Sequence, residues 1–116
     1  MDDKIKQAFD TANYVATFSN QRRIIQEELN QKLVYYINGG TFKVTLELIN
    51  FTKTALDLGH TTDVVFVDQN KIPVLVNDVR SFLDDLLSVY FESVNDYYRQ
   101  YADLKRLRQV ENITSI

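Results

Sequence analysis

Between Asp3 and Asn38 the apolar positions Ile5, Phe9, Ala12 and Ala16, then Ile25, Leu29, Leu33 and Tyr36, recur at steps of three and four, with no Gly or Pro between them. Such steps return to one face of a helix, so the spacing predicts a helix over 3–38. Thr17-Phe18-Ser19-Asn20 is the place where it could break, because these are modest helix formers and Ser19 or Asn20 could cap a second helix beginning at Gln21. Continuity is the reading taken. Asn38-Gly39-Gly40 then ends the helix, since Asn and Gly tolerate the left-handed conformation used past a helix terminus.

Residues 41–44 (Thr-Phe-Lys-Val) read as a short strand, and Thr45 as the N-cap of a helix over 45–58 whose apolar face is Leu48, Phe51, Ala55 and Leu58. Gly59 is its stop. Val64 to Val67 are four consecutive apolar β-formers, which predicts a strand covered on both faces. The polar run Asp68-Gln69-Asn70-Lys71 then turns the chain into Ile72-Pro73-Val74-Leu75-Val76, giving a β-hairpin over 63–76 with Pro73 on an edge strand. Asn77 is expected to cap the last helix, over 78–109, with residues 110–116 as a frayed tail.

The seam of that last helix reads Val79, Leu83, Leu86, Tyr90, Val94, Tyr97, Tyr101, Leu104, with steps of 4, 3, 4, 4, 3, 4 and 3. This is heptad-like stepping with one stutter, widened by Phe82, Leu87, Phe91 and Tyr98. The fold class is therefore α+β, predominantly helical, in the order α-β-α-β-β-α, with two long terminal helices and a small sheet containing a hairpin. The length of 116 residues supports a single domain. A helix of ~32 residues is about 48 Å long, whereas a domain of ~100 residues has a radius of gyration near 13 Å. Both terminal helices should overhang, which predicts that they pair antiparallel and that the chain forms a homodimer or higher oligomer.

Composition narrows the chemistry. The chain has no Cys, which removes disulfides, thiolate zinc sites and cysteine nucleophiles, and His60 is its one histidine. Asp57 lies three positions before His60, but Gly59 ends the helix between them, so His60 reads as a solvent-facing loop residue rather than a metal ligand or base. The adjacent acids Asp2-Asp3, Glu27-Glu28 and Asp84-Asp85 point about 100° apart on a helix and cannot face each other. Neither a GxGxxG nor a GxxxxGK[ST] pattern occurs. The expectation is a protein that is not an enzyme and uses no metal or cofactor. The triplets beginning at Asn50 and Asn112 match the glycosylation pattern and are read as chance. No apolar run is long enough for a membrane span, and the N-terminus has no signal-like apolar region, so a cytoplasmic protein is expected.

What remains is surface. Tyr90, Val94, Tyr97, Tyr101 and Leu104 are the interface candidates, because large rings with polar tips suit a partly wet contact; core packing within one chain is the other reading. Expected partners are the chain itself and another protein. Arg22 and Arg23, with Lys105, Arg106 and Arg108, form two basic clusters that leave nucleic acid open as an alternative partner, although the net charge of −3 argues against a wholly basic surface. Basic residues near a helix C-terminus also complement its dipole.

Phe42-Lys43-Val44-Thr45 before Leu48-Ile49, the hairpin Asp68-Gln69-Asn70-Lys71-Ile72-Pro73, and Tyr90-Phe91 followed by Asn95-Asp96-Tyr97-Tyr98 and Leu104-Lys105 carry a resemblance of low specificity, none of them being a chemical signature. In these residues, from Thr41 to about Arg108, the chain resembles small proteins of unassigned activity from large contractile-tailed phages, chiefly those of marine cyanobacteria. The resemblance implies a phage-encoded product made in a bacterial cytoplasm, with packaging in the virion as one outcome. It carries no catalytic residues.

Overall fold

The computed structural model describes residues 3–114, with the side chains of Tyr14 and of residues 108–114 outside that description. Its elements are α1 (Asp3–Lys32), β1 (Val34–Ile37), β2 (Gly40–Lys43), α2 (Leu46–Asp57), β3 (Thr62–Val67), β4 (Pro73–Asp78) and α3 (Val79–Thr114). The fold is α+β and predominantly helical, and the six expected elements follow one another as predicted, with β1 added between α1 and β2. Contacts gather into two units, Asn30–Asn95 and the segments Met1–Leu29 with Asp96–Ile116.

The predicted helix over 3–38 ends at Lys32 instead, and Val34-Tyr35-Tyr36-Ile37 is a strand. Four β-branched or aromatic residues in a row disfavour helix and fit a pleated surface. Asn38 and Gly39 are a two-residue hairpin loop, both with positive φ (49° and 80°), the condition that selects Asn-Gly in a type I′ turn. β1 and β2 pair antiparallel from Val34 opposite Lys43 to Ile37 opposite Gly40. The residues read as a helix stop are thus the tip of a hairpin. Gly40 is required by crowding: a Cβ there would lie 2.4 Å from Val74 Cγ2.

α2 begins and ends as its sequence predicts. Thr45 Oγ1 accepts from Leu48 N–H at 3.1 Å, and Gly59 takes φ +93°. There the Gly59 N–H donates to Leu56 O and the His60 N–H to Ala55 O, the paired bonds of a Schellman cap. β3 and β4 form a second two-stranded antiparallel sheet, with Val65 opposite Leu75 and Val67 opposite Pro73. The expectation of a strand covered on both faces is corrected here: Phe66 is buried, but Val65 and Val67 are 59% and 61% exposed, because this small sheet packs through one face only. The cap of α3 also moves by one residue. The β3–β4 ladder continues to Asp78, so Asp78 rather than Asn77 is the last extended residue, and its Oδ1 accepts from Ser81 N–H at 3.1 Å. α3 runs past the expected end at Gln109 to Thr114, since no Gly or Pro interrupts it; residues 115 and 116 of the expected tail lie outside the described residues.

Within Asn30–Asn95 the core is Phe42, Val44, Ile49, Phe66, Val74, Val76, Val79, Phe82, Leu83 and Leu86. Phe82 is its hub, with ring centroids 5.3 Å from Phe42, 5.0 Å from Phe66 and 5.9 Å from Tyr35, in the tilted and edge-on geometries that aromatic quadrupoles favour. Asp68 ties the hairpins together. Its carboxylate is buried and accepts from Thr41 N–H (2.9 Å), Asn70 N–H (2.9 Å) and Ile72 N–H (2.8 Å), while Gln69 N–H donates to Thr41 O. The Thr41 amide above all, with those of Ile72 and Asn70, holds this carboxyl below the usual range against the opposing effect of burial.

Candidate interaction surface

The α3 seam predicted from the sequence is a continuous inward stripe. Val79, Leu83 and Leu86 are buried, and Tyr90, Val94, Tyr97, Tyr101 and Leu104 are half-buried. Of the five interface candidates, Tyr90 packs against the core of Asn30–Asn95 and stacks edge-on with Phe91 at 5.5 Å; Val94 follows it. Tyr97, Tyr101 and Leu104 belong to the other unit, where Tyr97 and Tyr101 lie 6.3 Å apart. Their neighbours there come from α1. Gln26 Nε2 donates to Tyr97 OH at 3.5 Å, and an open groove of about 350 Å³ is lined by Gln21, Ile24 and Ile25 from α1 and by Gln100, Asp103, Leu104 and Leu107 from α3. Residue numbers rise on one helix as they fall on the other, so in this unit the two segments run antiparallel.

The bare apolar surface of the same unit lies elsewhere. At 100° per residue, Ile5, Ala8, Phe9, Ala12, Val15 and Ala16 fall within a face about 120° wide. All six are exposed, Ile5 at 48%, Phe9 at 59% and Val15 at 52%. The half-buried α1 residues Phe18, Ile25 and Leu29 centre about 120° around the helix from that face. α1 therefore carries two apolar stripes about 120° apart around its axis.

The basic residues are not gathered into a bare cationic patch. Arg23 pairs with Glu27 at 3.0 Å and Arg106 with Asp103 at 3.1 Å, each one turn along its own helix, while Arg22 and Lys105 are exposed; the Arg108 side chain lies outside the described residues. Such exposed pairs add little to stability but do neutralise charge locally.

His60 is exposed in the loop after α2, and among the described residues there is no group of three His, Cys, Asp or Glu side chains placed to hold a metal ion. The Tyr35 hydroxyl donates to Asp85 Oδ2 at 2.5 Å and is pushed up to about 12 by burial first, then by that hydrogen bond and the Asp85 charge. A tyrosine held protonated in this way is a tie between β1 and α3, not a nucleophile. Sequence reasoning missed it because β1 was read as helix. Among the described residues, no helix is long and apolar enough to cross a membrane. Comparison with protein-family models, with curated proteins and with solved structures gives no match for the chain.

Proposed function

We propose that the chain is a non-enzymatic protein-interaction module that associates with itself through its long helices. The observation that carries this reading is the apolar stripe of Ile5, Ala8, Phe9, Ala12, Val15 and Ala16 on α1, with every one exposed. An isolated exposed Leu or Phe is ordinary, but a continuous stripe on a long helix is the feature that helix association buries. In the setting that the phage resemblance implies, the module is an accessory or virion component, and its further partner is a protein of the particle or of the infection machinery. The reading is tested by sedimentation equilibrium from about 5 to 300 µM, a range set by the micromolar affinities of small interfaces. A weight-average mass rising toward twice the 13.6 kDa monomer supports it; a constant monomer mass over that range removes it.

A further inference from the structure

Beyond the helices, we infer that the free edge of β3 pairs antiparallel with β3 of a second copy, about a two-fold axis at Phe66, joining the two β3–β4 hairpins into one sheet. The register of the hairpin shows which backbone groups are left over. Asp68 N–H donates to Ile72 O, and Pro73, opposite Val67, has no N–H to exchange. Hydrogen-bonded and non-bonded pairs alternate along antiparallel strands, so the bonded pairs here are Phe66 with Val74 and Val64 with Val76. Leu75, opposite Val65, has the same phase: its carbonyl points away from β3 and accepts from Asn38 Nδ2 at 2.8 Å. Val65 and Val67 therefore turn N–H and C=O outward from the hairpin, and among the described residues no hydrogen bond reaches them. Both residues are exposed. The two edges of the hairpin are thus unequal. β4 is closed by Pro73 and by the Asn38 side chain, whereas β3 carries no such block between Val64 and Val67.

What such an edge accepts is another extended backbone, because a strand presents donors and acceptors at the matching spacing. A second β3 fits it without remainder. With the axis at Phe66, Val65 lies opposite Val67 of the second copy, and the two pairs exchange every outward N–H and C=O of both edges. Side chains on the outer face then run Leu75, Val65, Val67, Pro73 across the joint, apolar beside apolar, with no charge opposed. The exposed ring of Phe51 stands edge-on to Phe66 at 5.8 Å, so an axis at Phe66 brings both Phe51 rings to the joint as well. Moving the axis to Val65 would instead set Val67 opposite Asp63, a charge against an apolar side chain, at a residue whose φ of 53° departs from strand geometry.

Amide exchange with solvent, resolved by NMR on the isotope-labelled chain, reads this edge directly at about 20 µM and about 500 µM, concentrations that bracket small reversible interfaces. The Phe66 amide, bonded to β4, should be protected at both. Those of Val65 and Val67 are expected to exchange fast at the lower concentration and about threefold or more slower at the higher. Val67→Pro removes an N–H that the hairpin does not use, and with circular dichroism unchanged its Val65 amide is expected to exchange at one rate at both concentrations. Should that variant fail to fold, charge takes its place. Val65→Lys/Val67→Lys and Val65→Glu/Val67→Glu each set like charges opposite one another and should show no protection alone, while their equimolar mixture should regain it. A mixture as unprotected as its components overturns the inference, as do Val65 and Val67 amides of the unmodified chain that exchange at one rate at both concentrations. If the sedimentation mass rises while those amides stay unprotected, self-association through the helices stands and the β3 edge is excluded; a monomer mass throughout removes both.

Discussion

The two long helices carry apolar seams built on the same stepping, yet one is covered and the other is not. On α3, Val79, Phe82, Leu83 and Leu86 are at most 6% exposed, whereas on α1 Ile5 and Phe9 are 48% and 59% exposed. The two units divide in the same way. Asn30–Asn95 holds every fully buried residue, and no described side chain of Met1–Leu29 or Asp96–Ile116 is fully buried. Periodicity states which residues share a face; it does not state what covers that face. Cover comes from neighbours in number, and only Asn30–Asn95 brings two hairpins, α2 and the start of α3 together around one aromatic hub.

The contrast is broken most severely at that hub. Phe82→Ala removes a ring that touches Phe42, Phe66 and Tyr35, and its loss should cost about 3–5 kcal/mol, as for other buried aromatics cut to Ala. That is a large share of the roughly 5–15 kcal/mol that holds a typical domain folded. Urea unfolding followed by tyrosine fluorescence measures it. A loss below about 1 kcal/mol would mean that Asn30–Asn95 is not organised around this residue.

A second effect separates the units by pH. Asp68 has a folded-state pKa below its unfolded value near ~3.9, so its contribution to stability is complete above that value and disappears as pH falls through the lower, folded value. In Asp68→Asn an amide donor takes the place of one acceptor oxygen facing the N–H groups of Thr41, Asn70 and Ile72. The variant should melt at a lower temperature than the parent at pH 7, and the gap should narrow at about pH 3, below the unfolded-state value near ~3.9, as the contribution of the carboxylate begins to be lost. Thermal melts at the two pH values decide it; an equal gap at both would show that the charge of Asp68 does not matter.

How far these features were legible in the sequence depended on whether the deciding signal was local. The Thr45 cap, the Gly59 stop and the α3 seam are set by residues a turn apart, and each reads directly from spacing. Asn38-Gly39 was equally local but ambiguous, because positive φ serves a helix terminus and a type I′ hairpin alike; the four β-prone residues before it were the signal that decides. The Tyr35–Asp85 tie and the Asp68 bridge to Thr41 join residues 50 and 27 positions apart, and no spacing rule reaches that far. The candidate stripe on α1 lies between these cases. Its members were visible as a periodic series, but spacing does not say whether another element covers them, and every described residue from Asp3 to Thr17 is exposed.

The smallest effect belongs to the half-covered part of the α3 seam, and it tests whether Asp96–Ile116 contributes a core of its own. Leu104 is half-buried and borders the open groove opposite Ile24 and Ile25. Full burial of a leucine side chain stabilises by about 1.5–3 kcal/mol, so half of that burial amounts to about 1 kcal/mol. Truncation to Ala leaves no closed cavity here, because the groove already opens to solvent, and the additional cavity penalty of a sealed core does not apply. Leu104→Ala should therefore destabilise the chain by about 1 kcal/mol in urea, well under half the effect of Phe82→Ala. A loss of about 3 kcal/mol or more would place Leu104 in a closed core, covered by a second copy or by a tighter helix pair, and its unit would then be as firmly packed as Asn30–Asn95.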